Sequence, residues 1–146
     1  MSSVPMPRID HIGYVVTDLD QACRFFVDVL GAVRHETRKG ALVDATSDSM
    51  TRRFGVDARA HAAYAFIIFA NVEVELMQWT SPTRSDANPS NEDAGGRHVA
   101  VVAPDMAGTL ERIRAFGGCE IREPNERGFI YVKTPFGLEV QLIPAD

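Results

Sequence analysis

The sequence predicts an α+β domain of two tandem βαβββ modules, whose strands form an open, cup-shaped mixed sheet with the helices on its outer face. Three observations predict it. The closing hexamer Leu138 to Ile143, LEVQLI, repeats Val72 to Met77, VEVELM, almost letter for letter. The run Asp10-His11-Ile12-Gly13-Tyr14-Val15-Val16 is echoed by Arg97-His98-Val99-Ala100-Val101-Val102-Ala103. An amphipathic helical stretch follows each of these histidine runs. Both hexamers alternate with period two, so Val72, Val74 and Leu76 turn toward the helices. Glu73, Glu75 and Met77 then line the concave side, as do Glu139, Gln141 and Ile143.

The elements follow in order. Residues 1 to 7, with two prolines and two serines, read as a short tail. Arg8 to Thr17 is β-branched and reads as a strand. Thr17, Asp18 or Asp20 is placed to cap a helix carrying Leu19, Ala22, Cys23, Phe26, Val29 and Leu30 at helical spacing, with Gly31 as its stop. A strand over Ala32 to Arg38 should turn at Lys39-Gly40. Asp44 to Ala63 is too polar and irregular for a sheet member and reads as a lid over a pocket or a plain surface loop, with a helical turn or two around Ser49 to Phe54. Ala63 to Ala70 and Val72 to Trp79 form an antiparallel pair turning at Asn71.

The first module therefore spans about residues 8–80. Ser81 to Gly96, dense in Pro, Ser, Asn, Asp and Gly, reads as the hinge. The second module, about 97–143, replays the order: strand from Arg97 to Ala103, helix from Asp105 to Phe116, stop at Gly117-Gly118, strand from Cys119 to Arg122. A turn at Pro124-Asn125, the strand GFIYVKT, a turn at Pro135-Phe136-Gly137 and the closing strand complete it.

Composition bounds the function. With 146 residues, 45% hydrophobic and 24% charged, the chain has the size and balance of one globular domain. A net charge of -5 and scattered basic residues argue against a nucleic-acid or membrane partner. Two cysteines, Cys23 and Cys119, lie far apart without CxxC spacing, as in a reduced, cytoplasmic protein. No apolar run reaches signal-peptide or membrane-span length.

Two histidines together with acidic or amide residues at matching places in a duplicated unit are material for one shared metal site. The opening IDHIGYVVTDLDQACRFFVDVLGA, the segment ELMQWTSP, the strand RHVAVVAPDM and the closing TPFGLEVQLI together resemble the vicinal oxygen chelate superfamily, over essentially the whole chain. That superfamily includes glyoxalase I, methylmalonyl-CoA epimerase, extradiol dioxygenases and the fosfomycin and bleomycin resistance proteins. The resemblance implies a divalent ion held by His11, Glu75, His98 and Gln141. Gln141 is a departure, because glutamate is commoner at that place; Glu139 is the alternative fourth ligand. Zn, Ni, Co, Mn and Fe(II) all accept such a set.

The implied function is a metal-dependent lyase or isomerase of glyoxalase I or epimerase type, which stabilises an enolate or enediolate of a small oxygenated substrate. Glu139 or Glu73 would move the proton or stand behind the ligands, and Met77 and Trp79 would wall the pocket. An extradiol-type Fe(II) dioxygenase using His11, His98 and Glu75 is one alternative. A non-catalytic cup for an antibiotic-like small molecule is the other. The acyl-CoA and glutathione adducts of relatives are anionic, and the sequence carries no dense basic patch to meet them. Family habit points to a homodimer, and the cup could be completed within one chain or across two.

Overall fold

A computed structural model of the protein describes residues 4–44, 46 and 48–146. The first half runs β1 (Ile12–Val15), α1 (Leu19–Arg24), β2 (Val33–Leu42), α2 (Ser49–Phe54), β3 (His61–Ile68) and β4 (Glu73–Thr80). The second runs β5 (His98–Ala103), α3 (Met106–Phe116), β6 (Glu120–Ile121), β7 (Ile130–Lys133) and β8 (Glu139–Pro144). Each half is a four-stranded sheet of one plan, in the orders β1-β4-β3-β2 and β5-β8-β7-β6. In both, the first and last strands pair in parallel and the other pairs are antiparallel. The α+β, two-module plan read from the sequence is thus the plan adopted, built as two separate mixed sheets with β1 and β5 as edge strands.

The helices start where aspartate can cap them. Asp18 accepts from the Gln21 amide at 2.9 Å, and Asp105 does the same for Gly108 in the second half. Beyond α1 the chain widens into a π-helical turn over Phe25–Val29. Phe25 and Phe26 are both fully buried there. Phe25 meets Phe116 of α3 and Phe136 of the last turn edge-on, with centroids 5.3 and 5.5 Å apart. Phe26 lies against Phe69 at 5.9 Å. The aromatic cluster therefore joins the halves into one core with Val74, Leu76, Val140 and Leu142. Burying two such rings is worth several kcal/mol in all, at about 1.5–3 kcal/mol each.

The sheet faces follow the predicted parity. Val74, Leu76, Val140 and Leu142 are buried, while Glu73, Glu75, Met77, Glu139, Gln141 and Ile143 are half-exposed. Strand β2 departs from expectation. It does not stop at Lys39-Gly40 but runs on to Leu42, because β3 offers partners from Ala65 to Ala62 along that stretch. It does so across a register shift between Arg34 and Lys39. His35 organises the irregularity, its Nδ1 accepting from the amides of Thr37 and Arg38 at 3.2 and 3.1 Å. The segment after β2 forms the short helix expected around 49–54, and Phe54 on it meets Trp79 of β4 at 5.9 Å; residues 45 and 47 of that segment lie outside the described residues.

Candidate metal centre

The chemistry-bearing residues fall into two groups built alike, one per half. In the first, His11 stands just before β1 and its Nε2 lies 3.3 Å from Glu75 Oε2. Glu75 is on β4, opposite Gly13 of β1 and Phe66 of β3. A Cβ at position 13 would lie 3.6 Å from the Glu75 carboxylate, an ordinary van der Waals contact. The Phe66 ring meets His11 edge-on, 4.9 Å between centroids.

A bracing set surrounds this pair. Asp10 lies 2.8 Å from His11 Nδ1. Its carboxyl is held down to about 2 by the His11 contact and then by Arg38. A carboxylate only accepts, so Nδ1 must carry the hydrogen, and Nε2 is the nitrogen turned toward Glu75. Arg38 holds Asp10 at 3.0 Å, grips Glu73 and lies over the Phe66 ring at 3.9 Å. The irregularity that His35 sets in β2 ends at Arg38, which is how a strand two places from β4 delivers a guanidinium to it.

The second half repeats the layout with other residues. His98 opens β5 opposite Glu139, and Gln141 stands opposite Ala100 and Tyr131. The Tyr131 ring meets His98 edge-on at 5.3 Å, as Phe66 meets His11. Arg122 grips Glu139 through both carboxylate oxygens at 2.9 Å, as Arg38 grips Glu73. Where Asp10 precedes His11, Arg97 precedes His98, and its guanidinium donates to the Val15 carbonyl at 3.1 Å.

Of the four ligand candidates, His11 and Glu75 meet directly, while His98 and Gln141 stand on the paired strands β5 and β8 with Tyr131 as their common neighbour. Among the described residues, no group of three or more His, Cys, Asp or Glu side chains is placed to hold a metal ion. Glu73 and Glu139, the candidate proton carriers, sit in arginine ion pairs. Met77 pairs with Tyr64 across the sheet, and Trp79 packs on Phe54. Sequence reasoning passed over Asp10, Arg38 and Arg122. Their signal was present only as the acid next to His11 and as cations on neighbouring strands whose register the sequence does not reveal.

A sequence profile of the Glyoxalase/Bleomycin resistance protein/Dioxygenase superfamily matches residues 10–132. The chain is 34% identical over 145 residues to a 2-epi-5-epi-valiolone epimerase from Actinomyces sp, covering 92% of this chain and 78% of that protein. Its fold superposes on a glyoxalase family protein from Bacillus cereus with a TM-score of 0.76 at 18% identity, over 99% of this chain and 97% of the other. It superposes on the fosfomycin resistance protein FosX from Listeria monocytogenes, complexed with Mn(II) and sulfate, with a TM-score of 0.60 at 17% identity, over 97% and 95%. From the duplicated sheets, the paired half-sites and these likenesses together, the chain belongs to the Glyoxalase/Bleomycin resistance protein/Dioxygenase superfamily, the vicinal oxygen chelate proteins.

Proposed function

We propose that the protein is a metal-dependent isomerase of epimerase type, within the wider lyase and isomerase chemistry of its superfamily, acting on a carbon next to a carbonyl in a small oxygenated substrate. The observation that carries the reading is the repeated half-site, in which each histidine is ringed by an aromatic and faces a carboxylate or amide strand. Likeness to an epimerase supports the reaction type. The donor chemistry fits a divalent ion: with Nδ1 held by Asp10, His11 offers Nε2 beside a carboxylate, and His98 with Gln141 adds a second imidazole and an amide oxygen. An ion bound by these residues would supply Lewis-acid polarisation of the substrate carbonyl.

Two copies of the chain would complete the set. The exposure of Ile12, Val15 and Val102 on the β1 and β5 edges, at 41%, 43% and 61%, supports this, as does the finding that among the described residues no three His, Cys, Asp or Glu side chains gather within one chain. A twofold pairing would bring His11 and Glu75 to His98 and Gln141 of the partner subunit twice over. For proton transfer Glu73 is the better placed candidate, because Arg38 contacts one of its oxygens while Arg122 occupies both oxygens of Glu139.

The test is solvent-deuterium uptake by 2-epi-5-epi-valiolone, followed by NMR with Mn(II), Ni(II) or Zn(II) and after chelation. Deuterium should enter next to the carbonyl only with metal. Equal uptake in both states, or none with any ion, would overturn the assignment.

A further inference from the structure

The segment joining the halves roofs a cavity of about 610 Å³ on the second sheet. That volume lies within the roughly 300–1,000 Å³ of small-molecule sites. None of His11, Glu75, His98 and Gln141 lines it, so it stands beside the candidate metal centre and not within it. Its floor is one cross-strand row: Lys133 of β7 stands opposite Glu139 of β8, which stands opposite His98, the residue after Arg97. Neighbouring strands lie about 4.8 Å apart, which puts Lys133 roughly 10 Å from the start of β5, a gap that a lysine and an arginine facing one cavity can close between them. Its roof is fastened. Arg84 grips the Trp79 carbonyl and Asp86, and the Ser90 amide and hydroxyl donate to Asp93 at 2.8 and 3.0 Å.

The charges of the lining divide into paired and unpaired. Arg122 holds both oxygens of Glu139, and Arg84 holds Asp86 from outside the lining. Glu120, opposite Lys133 on β6, also lies outside the lining; it is 3.6 Å from Arg122 and its side chain is 66% exposed, so water screens it. Three charged groups face the cavity with no ion pair among the described residues: Arg97, Lys133 and, from the roof, Glu92. Arg97 gives one N–H to the Val15 carbonyl at 3.1 Å, which leaves its guanidinium charge in place. Two unpaired cations against one unpaired carboxylate leave a positive excess of one, in a chain whose net charge is -5. A ligand with one negative charge restores the balance, and a dianion overshoots it. A guanidinium fork and an ammonium suit a carboxylate, and the amides of Asn88 and Asn91 are left for neighbouring hydroxyls.

We propose that this cavity binds a small monocarboxylate, its carboxylate held between Arg97 and Lys133. The proposal goes beyond the isomerase reading and does not rest on it. The experiment is saturation-transfer NMR on metal-stripped, full-length protein with glycerate, glycerol and glycerol 3-phosphate, which share a skeleton and differ in charge. Glycerate should bind, glycerol should give no signal, and the phosphate should bind no tighter than glycerate. Lys133→Gln and Arg97→Gln should each weaken glycerate binding about tenfold, the loss of one hydrogen bond to a charged group. Glu92→Gln should act the other way and tighten it about threefold by removing a repelling charge, a sign that general damage to the fold would not produce. No binding of glycerate, equal binding of glycerol, tighter binding of the phosphate, indifference to Lys133→Gln, or weaker binding in Glu92→Gln would each overturn the proposal. Mn(II) titration of the same protein judges the metal reading separately, so the two can fail independently.

Discussion

The two half-sites share one architecture and differ in charge. Around His11 stand three carboxylates, Asp10, Glu73 and Glu75, against two guanidiniums, those of Arg8 and Arg38. Around His98 stand one carboxylate, Glu139, and two guanidiniums, those of Arg97 and Arg122, with the uncharged Gln141 where the first half has Glu75. By charge alone, the His11 side is the more attractive of the two to a cation. One sheet plan used twice thus carries different charge at matching places.

The largest expected effect tests whether these are two halves of one body. Phe25→Ala in the first half should cost about 3–5 kcal/mol, because the ring packs on Phe116 and Phe136 of the second. Chemical denaturation should remain a single transition. Two separate transitions would mean that the comparison is between independent modules.

Next is metal affinity. Glu75→Gln should lower Mn(II) affinity by about a hundredfold or more, while Gln141→Glu should raise it, both read by EPR titration. Equal losses on Glu75→Gln and Gln141→Ala would erase the proposed asymmetry. Smaller effects belong to the braces. Arg38→Met should cost about tenfold in metal affinity, since Arg38 holds both Asp10 and Glu73, and Arg122→Met should cost less. The reverse order would move the anchor to the second half.

The smallest is a pH effect confined to the first half. The Asp10 carboxyl is lowered from 3.8 to about 2 by folding, so its contribution is complete above about pH 4 and is lost as pH falls through 2. The melting-temperature difference between wild type and Asp10→Asn should follow that window. A difference that persists unchanged at pH 2 would detach Asp10 from the stability of the site.

Much of this was legible in the sequence because local patterns carry it. The hexamers VEVELM and LEVQLI alternate strictly, so the burial of Val74 and Leu76, and the half-exposure of Glu73 and Glu75, follow from parity alone. Asp18 was one of three cap candidates, and backbone geometry chose it. What was hidden depends on register between distant strands. Arg38 and Glu73 are 35 residues apart, and their meeting needs the shift in β2 that the Lys39-Gly40 pair disguised as a turn. The π-helical turn was equally hidden, because Phe25 and Phe26 read as an ordinary helical stretch until Phe116 and Phe136 pack against them.

The irregular stretch of β2 carries a liability of its own. Deleting Glu36 or Thr37 would shorten the stretch that the His35 ring ties to the Thr37 and Arg38 amides and so draw the Arg38 guanidinium off its carboxylates, while leaving the downstream pairing of Lys39 to Leu42 free to re-form. Such a deletion variant would keep its fold yet lose the clamp on Asp10 and Glu73. The Asp10 carboxylate behind the imidazole would then lose its Arg38 partner, an injury that a melting curve alone would miss.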